Sequence, residues 1–130
     1  MCPPFRERLV IGMGVDAVDV ERFRRLLIRR PGLAQRIFTE AERAYVSTRV
    51  DPVPGLAARF AAKEATMKAL GTGIGGMRFS EVEVLGTRSG APQLEVSGLA
   101  ASRAAALGVQ TWHVSLTHTD SLAAAVVVAD

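Results

Sequence analysis

The chain is poor in the residues that mark several common protein classes. One cysteine, Cys2, in 130 residues excludes an internal disulfide framework. Aromatic residues make up only 5% of the sequence, and no basic stretch carries interleaved rings for base stacking, so we expect no nucleic-acid partner. No run approaches the roughly 18 apolar residues of a membrane span, and the N-terminus lacks the apolar core of a signal peptide. We expect a soluble, cytoplasmic protein without a membrane anchor.

The length of the chain predicts its domain count, and its charge indicates the kind of partner it binds. With 130 residues, 48% of them hydrophobic, the sequence predicts a single domain over 1–130 with a genuine core and a flexible N-terminus over 1–8. The net charge is +3, and nearly all the positive residues are arginines. This balance favours a partner that is acidic or carries phosphate.

The first apolar segment carries two glycines and ends on an acid. We predict a buried strand over 9–16, with Gly12 and Gly14 on the same face as Asp16. Two glycines on one face permit another group to approach the backbone closely. At the end of such a strand, Asp16 is either a site residue or the N-cap of the following helix, and the sequence leaves both open.

The other elements do not follow a strict βαβ order, which predicts an α+β fold. Helical spacing predicts an amphipathic helix with a basic outer face over 19–30, ended by a Pro-Gly pair. Thr39 and Glu42 form a capping box at the start of the next helix, and a turn is expected over 52–55. Further helices are predicted over 56–70 and 99–107, and strands over 81–85, 93–96, 111–117 and 122–128.

The central helix over 56–70 carries charges inside its apolar arc. At about 100° per residue, Lys63 and Glu64 project among apolar neighbours, and Lys68 follows Glu64 by one turn. Because an ionised group without a partner in an apolar site costs several kcal/mol, something must compensate these charges. One account pairs Glu64 with Lys68 and runs the stem of Lys63 along the core. The other is a cleft lined by one carboxylate and several cations.

A carboxylate beside cations suits a magnesium-bound pyrophosphate, because Mg²⁺ usually takes one or two carboxylates together with phosphate oxygens and water. Asp16 is the natural second carboxylate. The glycine-rich loop over 71–76 follows the same helix and has two interpretations. It is either a helix C-cap followed by a turn, or a row of backbone N–H groups that cradles an anion.

The C-terminal strand pair offers a histidine but no hydrolytic constellation. Alternation places His113, Ser115 and Thr117 on one face of the strand over 111–117, and His118 opens the turn that follows. The chain has no Ser/His/Asp order and no His/Cys set at metal-ligand spacing. Serine-hydrolase and zinc-enzyme functions are therefore excluded.

Three of these segments, taken together, resemble the bacterial holo-acyl-carrier-protein synthase family. Residues 12–22 are similar to its N-terminal signature of two glycines, an aspartate and an arginine-bearing helix. Residues 59–65 and 68–74 match its second signature almost residue for residue, which is highly specific. Residues 113–118, followed by 123–128, match the third. Their order extends the resemblance over 9–128.

The resemblance implies the α+β fold of a 4′-phosphopantetheinyl transferase, a small antiparallel-type sheet packed with a long central helix. It also implies a homotrimer that binds coenzyme A and Mg²⁺ between protomers. The implied reaction moves the 4′-phosphopantetheine group from coenzyme A to a serine of an apo-acyl carrier protein and releases adenosine 3′,5′-bisphosphate. Such an enzyme serves lipid metabolism, in fatty-acid or polyketide biosynthesis.

Site residues are also implied by the matched positions. Asp16 and Glu64 would bind the metal, and Lys68 would neutralise the pyrophosphate or assist the leaving group. The general base stays open between Glu64, a metal-bound water and Asp16 acting through water. The residues implied in binding are Arg59, Lys63, Gly71, Thr72 and Gly73 for the phosphates of coenzyme A, Thr117 and His118 of an adjacent chain for its binding cleft, and Arg22, Arg25 and Arg29 for the carrier protein.

One position departs from the family, and two other functions compete with this one. Asp19 stands where the family usually has glutamate, which puts the role of that position in doubt. A non-catalytic module that binds carrier protein, coenzyme A or a nucleotide would keep the basic helix without needing both acids. A coenzyme A-dependent acyltransferase would attack a thioester instead of the pyrophosphate.

Overall fold

Five helices and five strands build the fold, which a computed structural model describes for residues 9–72, 76–87 and 89–130. The predicted flexible segment over 1–8 and the predicted site residue Gly73 lie outside these ranges. The α+β class predicted from the sequence is confirmed. In chain order, the elements are β1 Gly12–Asp19, α1 Val20–Arg29, α2 Leu33–Ile37, α3 Glu40–Val46, α4 Val53–Ala69, a 3₁₀ turn Phe79–Glu81, β2 Val82–Gly86, β3 Pro92–Val96, α5 Gly98–Leu107, β4 Trp112–His118 and β5 Leu122–Ala129.

The strands form two antiparallel sheets. Three strands pair in the order β1-β5-β4, and β2 pairs with β3 in the predicted hairpin. Helix α4 packs on one face of the three-stranded sheet, called the inner face here. The opposite, outer face leaves Met13, Val15 and Val126 exposed. The sheet therefore has one covered face and one largely apolar face that no element of the described ranges covers.

Helix α4 lies directly on the backbone of β1. A Cβ atom added to Gly14 would stand 1.8 Å from the carbonyl oxygen of Ala65, and one added to Gly12 would stand 1.9 Å from that of Ala69. The predicted close approach is therefore confirmed, and the approaching group is the helix backbone. Small side chains complete the contact; the buried alanines of this cluster are Ala61, Ala62, Ala65, Ala69, Ala125 and Ala129.

Strand β1 begins and ends three residues later than predicted, because its pairing with β5 runs from Gly12 opposite Ala129 to Asp19 opposite Leu122. Asp16 therefore lies within the strand, opposite Ala125, and the prediction that it ends the strand is wrong. Its alternative role as a helix cap is wrong too. Asp19 caps α1 by accepting a hydrogen bond from the backbone N–H of Arg22 at 2.8 Å, a role that suits a short carboxylate.

The helices differ from prediction mainly at their starts. The expected turn over 52–55 is the first turn of α4, where proline is tolerated because the first backbone N–H groups need no helical partner. Helix α2 was not predicted, since five residues are too few to show a helical period. The capping box of Thr39 and Glu42 is confirmed. None of the helices in the described ranges has the length and apolar character to cross a bilayer.

Replacing Gly14 with alanine should destabilise the protein by about 3 kcal/mol or more, because the new methyl group overlaps the helix backbone. Gly32→Ala is the control: its surroundings are open, and only its backbone conformation, with φ of 91°, is strained. That strain costs about 1 kcal/mol. Urea unfolding measures both variants, and equal losses would contradict the direct contact between α4 and β1.

Candidate active site

Asp16, Glu64 and Lys68 meet where β1 crosses α4. The Nζ of Lys68 pairs with Oδ1 of Asp16 at 3.1 Å and donates to the carbonyl oxygen of Val15 at 3.0 Å. The Glu64 carboxyl lies close enough to Asp16 to feel its charge. Asp16 and Glu64 line a cavity of about 420 Å³, called the acidic cleft here. The structure thus brings together three residues that the sequence placed in one site, although Lys68 pairs with Asp16 and not, as one account had it, with Glu64.

Burial and the neighbouring Asp16 perturb the Glu64 carboxyl. Burial first, and then the charge and hydrogen bond of Asp16, raise the pKa of Glu64 to about 7, while Lys68 opposes the shift. Two carboxylates that share a site resist double ionisation, since like charges disfavour each other. With both acids ionised, the pair would carry more negative charge than Lys68 alone offsets.

The donor set of the acidic cleft fits a hard divalent cation. Carboxylate oxygens are suitable ligands, and a second positive charge would relieve the repulsion that raises the pKa of Glu64. No group of three or more acidic, histidine or cysteine side chains in the described part of the chain is placed to hold a metal. A cation at Asp16 and Glu64 would therefore complete its shell with phosphate oxygens and water, as Mg²⁺ commonly does.

The arginines of α1 divide between two surroundings. Arg22 and Arg29 line the acidic cleft, next to the apolar side chains of Phe23 and Phe60. Arg24 instead makes a two-pronged ion pair with Asp51, at 3.0 and 2.6 Å, which ties α1 to the start of α4. Of the three arginines predicted to bind a partner, the remaining one, Arg25, is exposed on α1 and does not line the cleft.

A second cavity, called the arginine cavity here, lies on another side of α4. Its lining includes Arg59, Arg49, Tyr45 and His118, and its volume is about 170 Å³. The guanidinium carbon of Arg59 lies 4.4 Å from the centre of the Tyr45 ring, and that of Arg49 lies 5.6 Å from it. The sequence predicted Arg59 and His118 but missed Tyr45 and Arg49, which lie on and just after α3, away from the recognised motifs.

Arg59 is a buried cation with spare donors. It is 6% exposed, donates to the carbonyl oxygen of Gly55 at 3.2 Å, and has no partner for its Nε among the described residues. Burial lowers the pKa of Arg59, and the nearby Tyr45 and Glu42 partly oppose that effect. A buried guanidinium with an unsatisfied N–H is well suited to receive an anion, because the anion would supply both the charge and the acceptor.

Lys63 does not reach either cavity. Its side chain is completely buried, and its Nζ pairs with Oε1 of Glu42 at 2.7 Å. The expectation that Lys63 holds phosphate is therefore wrong, and so is the alternative in which its stem carries the ammonium out to solvent. The sequence could not show this, because Glu42 lies in a different helix and is separated from Lys63 by the first turns of α4.

The end of α4 is a helix cap. Gly71, with φ of 70°, donates its N–H to the carbonyl oxygen of Lys68, and Thr72 donates its N–H to that of Met67, both at 3.0 Å. This is the Schellman arrangement, which satisfies the last carbonyls of a helix. The C-cap interpretation is confirmed, and the predicted anion cradle is wrong for these two N–H groups.

Consecutive residues at the end of β4 face opposite sides of the sheet. His118 lines the arginine cavity on the inner side, whereas Thr117 lies on the outer face with the exposed Met13 and Val15. A single protomer therefore does not bring Thr117 and His118 to one surface. The two cavities are separated as well: they share no lining residue, and Arg59 and Glu64 project from α4 about 140° apart.

Known sequences match this arrangement of motifs and elements. Residues 12–127 match the family model of the 4′-phosphopantetheinyl transferase superfamily. The chain belongs to this superfamily. The match includes Asp16, Glu64, Lys68 and Arg59, so both cavities lie within the part of the chain that defines the phosphopantetheinyl transferase family.

Relatives and solved structures agree with the family. The holo-acyl-carrier-protein synthase of Streptomyces avermitilis is 50% identical over 121 residues, which are 93% of this chain and 98% of the relative. The crystal structure of the synthase from Neisseria meningitidis has a TM-score of 0.84 and 31% identity, and covers 94% of this chain and 99% of its own. The synthase from Bacillus anthracis, solved in complex with CoA (3′,5′-ADP), has a TM-score of 0.78 and 32% identity, and covers 94% and 97%.

Glu64→Gln should stabilise the metal-free protein more at about pH 8 than at about pH 5. In the folded protein Glu64 keeps its proton up to about pH 7, whereas in the unfolded chain it ionises near its ordinary value of 4.5. The folded state thus binds more protons between these values, and its free energy of unfolding falls as the pH rises through them. Glutamine removes this penalty.

Urea unfolding at both pH values measures the effect of Glu64→Gln. Glu95→Gln is the matched control, because Glu95 is an exposed carboxylate on β3. The same change in stability at both pH values for Glu64→Gln would contradict the close carboxylate pair.

Proposed function

We propose that this chain is a holo-acyl-carrier-protein synthase. It transfers the 4′-phosphopantetheine group of coenzyme A to a serine of an apo-acyl carrier protein. The observation that carries the proposal is the acidic cleft, where two carboxylates and a lysine meet on the two elements that hold the family's motifs. The relatives named above are synthases of this kind, and one of them was solved with coenzyme A.

The acidic cleft would bind the pyrophosphate of coenzyme A together with a divalent cation. Asp16 and Glu64 would hold the cation, which when bound would offset the negative charge that develops on the pyrophosphate oxygens. Lys68 reaches the same point from one helical turn away and brings a further positive charge toward the leaving group. The pair of carboxylates explains the need for the metal, because without it the pyrophosphate would meet two acids.

The reaction is a displacement at phosphorus. The serine oxygen of the carrier protein forms a bond to the β-phosphorus of coenzyme A, and the bond from that phosphorus to the bridging oxygen breaks. Adenosine 3′,5′-bisphosphate leaves, and the hydroxyl proton passes to the carboxylate pair. The role of this chain is mainly to position and to neutralise charge, as in other phosphoryl transfers.

The arginine cavity would bind the remaining phosphate of coenzyme A. Arg59 has an unpaired N–H, and Arg49 and His118 lie in the same cavity. A phosphate there would accept hydrogen bonds from the guanidinium groups and compensate the buried charge of Arg59. Arg49 is an addition to the residues that the family motifs suggested.

The site would be completed between protomers of a homotrimer. Within one protomer the two cavities open from different sides of α4, so one coenzyme A is not expected to contact both. The exposed outer face of the sheet, with Met13, Val15 and Val126, is the apolar surface that a neighbouring protomer would cover. Thr117 lies on that face and would enter the site from the adjacent chain.

The carrier protein would dock on α1 beside the acidic cleft. Arg22 and Arg29 lie at the cleft itself, and Arg25 is exposed on the same helix. Positive charge of this kind attracts and orients an acidic partner helix, which would bring the serine toward Asp16 and Glu64.

A cytoplasmic location for the reaction stays a prediction of the sequence.

An apo-acyl carrier protein incubated with this protein, coenzyme A and Mg²⁺ should gain the mass of one phosphopantetheine group. A chelator should abolish the gain, and Glu64→Gln should lower the rate at least about a hundredfold, as expected for the loss of a group that acts on developing charge. Intact-mass spectrometry follows the carrier protein, and chromatography identifies the small product.

Two outcomes of this assay would contradict the proposal. Unchanged transfer by Glu64→Gln would refute the assignment of Glu64 as a metal ligand. It would favour a protein that only binds, with the transfer performed by a contaminating enzyme. Release of free coenzyme A thiol in place of adenosine 3′,5′-bisphosphate would show an acyltransferase.

Mixing two inactive variants should restore activity if each site combines the acidic cleft of one protomer with the arginine cavity of its neighbour. In randomly mixed trimers of Glu64→Gln and Arg59→Ala, about a quarter of the sites keep both halves intact. Refolding the two variants together and measuring transfer tests this expectation. Mixing Glu64→Gln with Asp16→Asn is the control and should restore nothing, because both changes damage the same half. No recovery in the first mixture would place each complete site within one protomer.

A further inference from the structure

An ion pair of Glu42 and Lys63 lies in the core and lines neither cavity. Both side chains are completely buried, and Oε1 of Glu42 lies 2.7 Å from Nζ of Lys63. Burial lowers the pKa of Lys63, and the charge of Glu42 opposes that effect. Removing two charges from water is costly, so a buried pair of this kind needs an explanation beyond stability.

Every donor and most acceptors of this ion pair have partners. Lys63 also donates to the carbonyl oxygens of Phe79, at 3.0 Å, and Val82, at 2.5 Å, so its three N–H groups are satisfied. The Oε1 of Glu42 accepts from the N–H of Thr39, and its Oε2 accepts from the N–H of Val84, both at 3.0 Å. Because these hydrogen bonds pair every N–H of Lys63 and both carboxylate oxygens of Glu42, they hold the ion pair in one defined geometry.

The same contacts join the elements that form the arginine cavity. Glu42 lies on α3, Lys63 lies on α4, and Val84 lies on β2. Each of these elements also supplies a wall of the cavity: Tyr45 is three residues after Glu42, Arg59 is four residues before Lys63, and Gly86 is two residues after Val84. Each wall residue therefore lies about one helical turn or one strand repeat from Glu42, from Lys63 or from their hydrogen-bond partner Val84.

The fit between these walls is tight. A Cβ atom on Gly86 would stand 2.4 Å from the ring of Tyr45, so the ring lies against the backbone of β2 as closely as glycine permits. The guanidinium carbon of Arg59 also lies over the Tyr45 ring, 4.4 Å from its centre. A small displacement of α3 relative to α4 would therefore change the position of the ring and of the guanidinium together.

We propose that Glu42 and Lys63 are a positioning pair that fixes the walls of the arginine cavity and thereby sets the affinity for the nucleotide part of coenzyme A. This inference rests on the proposed function of that cavity. The acidic cleft depends much less on the pair, because Asp16 is held by the contact of Gly14 with α4 and by Lys68, and neither residue of the pair lines that cleft. Disturbing the pair should therefore weaken nucleotide binding more than it slows the chemical step.

The test compares Glu42→Gln and the double variant Glu42→Gln with Lys63→Met, which removes both charges and keeps side chains of similar size. Calorimetry measures the binding of adenosine 3′,5′-bisphosphate without metal, and steady-state kinetics measure KM for coenzyme A and kcat. Ile37→Ala is the control for general destabilisation, since Ile37 is a buried core residue that lines neither cavity. All variants are measured well below their unfolding temperatures.

Both pair variants should bind the nucleotide about tenfold more weakly, with KM raised in parallel and kcat within about threefold of the wild type. Ile37→Ala should bind like the wild type, and Arg59→Ala should lose at least as much affinity as the pair variants. If the double variant does not fold, Glu42→Asp, which keeps the charge but withdraws it by one methylene, gives the same comparison.

Two results would overturn the inference, and they differ in whether the proposed function survives. If Arg59→Ala weakens nucleotide binding but the pair variants behave like Ile37→Ala, the ion pair is only a core contact and the proposed function stands. If Arg59→Ala binds the nucleotide like the wild type, the assignment of the arginine cavity fails, and the inference fails with it.

Discussion

The direct contact between the backbone of α4 and the backbone of β1 is the constraint on which the site depends. Because Gly12 and Gly14 have no side chains, the helix lies against the strand with only alanines between them. This closeness brings Asp16, on the strand, within reach of Glu64 and Lys68, on the helix. A longer spacing would leave the carboxylates too far apart to share one cation. The same contact between α4 and β1 therefore determines both the packing of the core and the geometry of the acidic cleft.

Helix α4 places charged groups on three of its sides, and the charge of each group is compensated in a different way. Glu64 faces the acidic cleft, where its pKa is raised and a cation would be stabilising. Lys63 faces the core, where Glu42 and two carbonyl oxygens satisfy it fully. Arg59 faces a cavity and keeps an unpaired N–H. The satisfied cation is structural, whereas the incompletely satisfied groups are those to which we assign binding.

Local patterns in the sequence predicted most of the fold. The capping box at Thr39, the end of α4 at Gly71 and the β2-β3 hairpin all depend on near neighbours, and all are confirmed. The glycines of β1 predicted a close approach, which is confirmed, but not that the approaching group is α4. The errors came from distant partners. The position of β1 along the chain is set by its pairing with β5, and the burial of Lys63 is set by Glu42 on another helix. Neither partner is visible from spacing along the chain.

The site shows the same division. The cluster of Asp16, Glu64 and Lys68 could be predicted, because the motif and the packing of small residues agree on it. The roles of Tyr45 and Arg49 could not, since only the tertiary fold brings α3 to the arginine cavity.

The most direct test of this account is a crystal structure with coenzyme A and Mn²⁺, whose anomalous scattering locates the ion. We predict that the ion lies between the carboxylates of Asp16 and Glu64 and contacts the pyrophosphate, while Arg59 of an adjacent protomer contacts the remaining phosphate. An ion bound away from both carboxylates, with coenzyme A seated elsewhere on the surface, would contradict the account.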